Sequence, residues 1–270
     1  MTKLEVARYY EAVAERMVPH LAGRPLTVIR CPGGVAEECF FQKHSTKTLP
    51  KRVELVDVRE KHGMVTYPVV NDKASLLSMA QFGAVEFHIW GSRVPRLEEP
   101  DRLVWDLDPA PDVPWREVRT AARLLRNELE DRGLTSYLMT SGGKGLHVVA
   151  PVKPGPGWQE TGAATREVVD ALATRYPDKY TATMSKAKRV GKVFIDHFRN
   201  GRGATAVAPY SLRARKRAPA ATPISWDDLG KTAAGDVWTA SRVMRRLKTL
   251  QDDPWEGAAG SAEQRLRRSV

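Results

Sequence analysis

The sequence predicts an α+β fold, on three observations. Several segments alternate apolar and polar residues with period two and read as strands, while others repeat apolar residues three and four apart and read as helices. Two of the strands are joined by a glycine-rich hairpin, an antiparallel connection. Apolar residues make up 42% of the 270, enough to bury a substantial core.

Thr2-Lys3-Leu4-Glu5 reads as a capping box, with Thr2 as N-cap and Glu5 at the third helical position. Val6, Tyr10, Val13, Met17 and Leu21 then recur at helical spacing, and Gly23 and Pro25 end that helix. Leu26 to Arg30 is a short strand and Cys31-Pro32-Gly33-Gly34 a turn. Phe40-Phe41-Gln42-Lys43 follows, where adjacent aromatics beside a lysine are either core plus surface or a stacking platform for bases. Residues 45 to 63 are polar and basic and are expected at the surface. Ala74 to Phe82 reads as a helix. Ala84 to Trp90 alternates as a strand with Val85, Phe87 and Ile89 inward and Glu86 and His88 on the other face.

The stretch Val104-Trp105-Asp106-Leu107-Asp108-Pro109 is the centre of the chain. As a strand it puts Leu103, Trp105 and Leu107 on one face and Asp106 and Asp108 together on the other, and Pro109 ends the ladder. Like charges this close raise each other's pKa unless a cation stands between them. Carboxylate oxygens suit a hard divalent ion, Mg²⁺ or Mn²⁺. A strand running into an acidic turn is the other reading of the same residues.

After a proline-rich turn, Val118, Ala121, Leu125 and Leu129 mark one helix face, closed by Gly133. Tyr137 to Thr140 and Leu146 to Ala150 are strands around Ser141-Gly142-Gly143-Lys144-Gly145, with His147 just beyond. This is not a P-loop, since the residue order differs and no helix follows. Its amides and Lys144 are a candidate anion nest; an ordinary flexible hairpin is the alternative. Ala164 to Tyr176 is a second amphipathic helix. Between Lys186 and Arg217 ten residues are Lys or Arg and one is acidic, Asp196, inside the apolar strand Val193-Phe194-Ile195-Asp196. A carboxylate there needs a partner, either an arginine or the metal of Asp106 and Asp108. Residues 218 to 230 read as a loop, 237 to 250 as a last helix with Val243 and Leu247 inward, and 251 to 270 as a loose tail.

The net charge of +11 favours a polyanionic partner such as nucleic acid. Cys31 and Cys39 read as free structural thiols of a reducing compartment. The N-terminus has no apolar run, so no signal peptide or membrane span is expected and the expected location is cytoplasmic, near the nucleoid.

Four motifs occur in a fixed order: Asp106-Leu-Asp108, Ser141-Gly-Gly-Lys144-Gly-Leu-His147, Phe194-Ile-Asp196 and Ala208-Pro-Tyr-Ser-Leu-Arg213. Together they resemble the primase-polymerase domain of bacterial ligase D, in the archaeo-eukaryotic primase superfamily. Gly23-Arg-Pro25 and Phe40-Phe41-Gln-Lys43 also fit, and the likeness runs from Thr2 to about Leu229. The resemblance implies a mixed sheet of RNA-recognition-motif type with flanking helices and an N-terminal subregion. The expected layout is one domain over 1–250, with subregion 1–100, catalytic core 101–230 and C-terminal helix 231–250. It implies template-directed nucleotide addition at DNA ends and short gaps during end joining, with a leaning to ribonucleotides and Mn²⁺.

On that resemblance the metal ligands and catalytic carboxylates are Asp106, Asp108 and Asp196, holding two ions, Mn²⁺ or Mg²⁺. Nucleotide-site positions fall on His88, Ser141, Lys144, His147 and Arg213, with Arg189 and Arg199 nearby. DNA contacts are expected at Lys3, Phe40, Phe41, Lys43 and Arg52, and Lys3 matches a lysine of the family's 5′-phosphate pocket. Expected partners are primer-template DNA, ends bearing a 5′-phosphate, NTP or dNTP, the end-binding Ku protein and a DNA ligase; no membrane is expected. Two departures stand out. The family usually has an N-terminal lead before the position of Met1, and the Lys-x-Asp-Gly signature of an adenylating ligase is missing. A stand-alone polymerase and a piece of a longer protein both fit. Two rival functions use the same residues: a metal-dependent nuclease and a non-catalytic DNA-end binder.

Overall fold

The computed structural model describes residues 1–35, 37–44, 49–255, 258 and 263–265. The chain divides into two compact units, each assembled from separated segments: 1–95, 205–222 and 238–253 in the first, and 96–204, 223–237 and 254–270 in the second.

The first unit opens with helix α1 (Lys3–Leu21), started by the expected capping box: Glu5 N donates to Thr2 Oγ1 while Glu5 Oε2 accepts from Thr2 N at 2.7 Å. Its apolar stripe, Val6, Tyr10, Val13, Met17 and Leu21, is buried. Strand β1 (Leu26–Arg30) pairs antiparallel with β2 (Phe40–Gln42). The surface expected for residues 45–63 holds in part only. A β-ribbon is built there from β3 (Glu54–Glu60) and β4 (Gly63–Val69). Val58, Tyr67 and Val69 are buried along it, while Leu55 and Met64 lie on the surface. Residues 45–48 fall outside the described part of the chain. Helix α2 (Lys73–Gln81) packs beside α1 and leads into β5 (Ala84–Trp90), which pairs with β1. Phe87 on β5 meets Tyr10 edge-on at 5.1 Å between ring centroids, inside a core shared with Met17, Leu26, Leu76 and Met79.

The same hairpin corrects the reading of the cysteines. Cys31 and Cys39 are joined as a disulfide, with Cα atoms 4.3 Å apart, and are not free thiols. The β1–β2 register matches Arg30 with Phe40, so the next pair outward is Cys31 with Cys39. Pairing across a hairpin, rather than spacing along the chain, sets their distance.

The second unit begins with β6 (Arg102–Pro109), then α3 (Trp115–Asp131), β7 (Tyr137–Thr140), β8 (Leu146–Pro151), α4 (Trp158–Arg175), β9 (Tyr180–Thr181) and β10 (Val193–Asp196). Its principal strands and helices follow a β-α-β-β-α-β order. In space the strands run β7-β8-β6-β10, antiparallel throughout, with the two-residue β9 parallel to β10 at one edge. The sheet is therefore mixed. The apolar stripe of α3, Val118, Ala121, Leu125 and Leu129, is buried as its spacing requires.

The chain then alternates between units. Strand β11 (Thr205–Val207) adds to β5 in the first, β12 (Pro223–Ile224) adds to β7 in the second, and α5 (Ala240–Leu247) packs against α1 in the first. The stretch 218–230 thus holds a strand and not only a loop. The loose tail expected from residue 251 is also corrected over its described part. Asp253 accepts from the Tyr210 hydroxyl at 2.7 Å in the first unit. In the second, Trp255 is buried with its indole donating to the Leu138 carbonyl at 2.7 Å, and Gln264 is bonded to the Thr135 backbone at 2.8 and 2.9 Å. A tail of Gly, Ala and charge hides three anchors among its described residues, a carboxylate, an indole and an amide.

Candidate active site

Asp106 and Asp108 stand two residues apart on β6, so both leave the same face. Strand β10 places Asp196 directly opposite Asp106, and β8 on the other side places His147 opposite Asp106. Directly opposed residues share a face. Hydrogen-bond register alone therefore lines up three carboxylates and an imidazole. The reverse face carries Leu103, Trp105 and Leu107, all buried, and the Trp105 indole donates to the Thr165 carbonyl of α4 at 3.1 Å.

Cations answer the carboxylates. Arg199 reaches Asp196 at 3.3 Å through Nε and Asp106 at 3.5 Å through Nη2. Arg189 lies 3.7 Å from Asp108 and 3.6 Å above the Phe194 ring, anchored by bonds to the Thr183 and Met184 carbonyls. His147 Nε2 lies 3.4 Å from Asp106, and its buried Nδ1 has no hydrogen-bond partner among the described residues. Burial and the nearby Asp106 push the Asp108 carboxyl up from its ordinary value, against Arg189 and Lys144. Burial pushes Asp196 up as well, with Arg199 opposing and Asp106 adding to it. Both directions are those of like charges gathered on a partly desolvated face. Among the described residues, no three His, Cys, Asp or Glu side chains converge into a formed metal cage. Arg199 stands between Asp106 and Asp196. The donor set still fits a hard divalent cation in kind, being carboxylate oxygen on one face.

The glycine-rich hairpin between β7 and β8 is a packing device. A Cβ on Gly145 would fall inside the Leu107 carbonyl oxygen, so only glycine lets this turn lie against β6 between the two aspartates. The Ser141 hydroxyl accepts from the amides of Gly143 (3.1 Å) and Gly145 (3.2 Å), and the Gly142 amide donates to the Gly235 carbonyl. These amides are already bonded, which removes them from the expected anion nest. Lys144 remains exposed as the hairpin's cation. Gly235, also tight against the hairpin backbone, went unnoticed in the sequence because it lies some 90 residues downstream.

In the first unit, His88 and Arg213 meet at one carboxylate. Glu86 lies 2.9 Å from His88 Nε2, accepts from Arg213 Nε at 2.9 Å, and accepts from the Ala214 amide at 2.7 Å. Sequence reasoning placed Glu86 on the His88 face and gave it no role; the spacing Glu86-x-His88 on a strand was the available signal. Phe40 and Phe41 are 45% and 58% exposed, which decides against the core reading of that pair. Lys43 is paired with Glu60 at 3.0 Å. Lys3, in the first turn of α1, and Arg52, in the turn before β3, are exposed.

Comparison with known proteins gives a consistent picture. The family model for the LigD primase-polymerase domain matches residues 2–255. The chain is 35% identical over 263 residues to the multifunctional non-homologous end joining protein LigD of Pseudomonas aeruginosa, covering 97% of this chain and 31% of that protein. It is 39% identical over 235 residues to the Mycolicibacterium smegmatis protein of the same name, covering 84% of this chain and 30% of that one. The chain thus spans about a third of the length of these relatives. Among solved structures, the polymerase domain of Mycobacterium tuberculosis ligase D in complex with DNA superposes with a TM-score of 0.89 at 33% identity, covering 97% of this chain and 93% of that one.

Proposed function

The chain belongs to the LigD primase-polymerase domain family, and on that premise we propose that it is a template-directed nucleotidyltransferase of DNA end joining. The observation that carries the reading is the carboxylate face, with Asp196 opposite Asp106 and Asp108 two residues on. The β-α-β-β-α-β sheet that presents it is, on this reading, of RNA-recognition-motif type.

Asp106, Asp108 and Asp196 would hold the divalent ions, Mn²⁺ or Mg²⁺, with Arg189 and Arg199 swinging from the carboxylates toward phosphate oxygens. Ions bound there supply charge neutralisation to the triphosphate and acidify the primer hydroxyl. The 3′-oxygen forms a bond to the α-phosphorus, the bond to the β-phosphate oxygen breaks in line, the hydroxyl proton passes to solvent and pyrophosphate leaves. Within the second unit, Ser141 holds the hairpin, and Lys144 and His147 contact the triphosphate. Within the first, His88 and Arg213 are assigned to nucleotide phosphate. Phe40 and Phe41 offer exposed rings for base stacking, with Lys43 and Arg52 as neighbouring phosphate contacts. Lys3, at a helix N-terminus that favours anions, is assigned to the 5′-phosphate across a gap. Ribonucleotides are the preferred substrates, and Ku and a DNA ligase the protein partners.

The test is primer-template DNA with labelled nucleotide and Mn²⁺. Extension is expected, and Asp106→Ala, Asp108→Ala and Asp196→Ala should each abolish it while DNA binding survives. Shortening of the primer would instead mark a nuclease, and binding without either product a DNA-end module. A correctly folded carboxylate variant that extends at the wild-type rate removes that residue from the ligand set.

A further inference from the structure

We infer that Glu86 is the positioning residue that orients both His88 and Arg213 for the nucleotide, through a single buried carboxylate. This rests on the nucleotide reading of His88 and Arg213 given above.

Glu86 sits mid-strand on β5, between the buried Val85 and Phe87, and is only 2% exposed. A carboxylate so placed is costly unless every lone-pair direction is answered. Here it is answered from two directions. One oxygen takes the Ala214 amide; the other takes Arg213 Nε and faces His88 Nε2. The side chains of His88 and Arg213 each keep 17% exposure against 3% for Glu86, so the carboxylate forms the floor and the imidazole and guanidinium the surface.

The segment that delivers Arg213 is separately pinned to the same strand and to α1. The Ala208 amide donates to the Phe87 carbonyl at 2.9 Å, the Phe87 amide to the Ser211 hydroxyl at 2.8 Å, and the Leu212 amide to the Tyr10 hydroxyl at 3.0 Å. Tyr9 donates to the Tyr210 carbonyl at 2.8 Å, where the backbone turns through a positive φ of 64°. Backbone bonds therefore fix where Arg213 starts, and Glu86 fixes where its planar guanidinium points. A guanidinium binds phosphate well only in the correct plane, so its orientation bears directly on nucleotide affinity.

The substitution that reports this is Glu86→Gln, which keeps shape and removes charge. Whichever way the amide turns, one of the two N–H donors, that of Ala214 or Arg213 Nε, meets an NH2 group in place of an acceptor oxygen. Steady-state extension with varied nucleotide should show KM for nucleotide raised roughly ten- to hundredfold, the loss of one or two charge-assisted bonds. The turnover number should change less, and affinity for primer-template DNA should stay at the wild-type value. Glu86→Gln combined with Arg213→Ala should cost less than the sum of the two single changes, because the carboxylate acts in part through the arginine. Wild-type KM in Glu86→Gln, or full additivity with Arg213→Ala, would overturn the assignment. If Glu86→Gln does not fold, Glu86→Asp keeps the charge one methylene shorter and is read by the same split. His88→Ala and Arg213→Ala run alongside: if neither raises KM, the nucleotide reading itself falls, whatever Glu86→Gln does.

Discussion

At the scale of single residues, the two units treat their carboxylates in opposite ways. Asp108 and Asp196 are pushed up by burial and by the neighbouring Asp106. Glu86 is more deeply buried than either, and burial alone would raise it. The bond to His88, the charge of Arg213 and the Ala214 amide outweigh that, and its pKa is lowered. The difference is the number of donors per oxygen. A lowered carboxyl stabilises the fold above the unfolded value of about 4.3 and loses that contribution as pH falls through the folded value. Glu86→Gln should therefore cost about 1–3 kcal/mol at pH 7. The gap to wild type should close as pH drops below about 4, followed by thermal denaturation at each pH. A gap of constant size across that range would mean that the charge contributes nothing.

At the scale of elements, two close approaches set the geometry. The hairpin after β7 lies on β6 only because Gly145 has no side chain. Gly145→Ala should lose about 1–3 kcal/mol through overpacking against backbone, which cannot yield as a side chain does. Urea denaturation measures this, and extension activity should fall with it as Asp106 and Asp108 move. The β1–β2 hairpin carries the exposed Phe40 and Phe41 next to the Cys31–Cys39 bond, which closes a separation of eight residues. Chain-entropy reasoning gives such a closure about 2–3 kcal/mol. Thermal melts with and without a thiol reductant should differ accordingly. Alkylation of the unreduced protein should add no mass; two added labels would show the thiols free.

At the scale of the whole molecule, a net charge of +11 overstates what is available to nucleic acid. Arg202 is paired with Glu98 at 2.6 Å, Arg213 with Glu86, and Arg189 and Arg199 with the β6 carboxylates. Lys186 and Lys188 are exposed. Each phosphate neutralised adds roughly 0.9 to the slope of log affinity against log salt. Lys186→Ala and Lys188→Ala should each lower that slope by about one contact, and Arg202→Ala should leave it nearly unchanged. Equal slopes for all three variants would mean that the ion pair with Glu98 opens on binding.

Much of this was legible before folding, and the misses share a cause. The α1 capping box, its buried stripe and the Asp-Leu-Asp strand follow from periods of 3.6 and 2, which are local properties of the chain. The β3–β4 ribbon escaped because its buried residues, Val58, Tyr67 and Val69, are diluted by charge on a two-stranded element with one face in water. What local order cannot contain is pairing. That Asp196 stands opposite Asp106 depends on β10 choosing β6 across 90 residues, and that Cys31 meets Cys39 depends on a hairpin register. That Glu86 meets Arg213 depends on a segment 127 residues away folding back onto β5. The sequence by itself determined which side chains share a face of each element. The tertiary structure decided which faces meet, because contacts between distant segments are chosen by packing and hydrogen-bond satisfaction over the whole fold, after the entropy of closing long loops has been overcome.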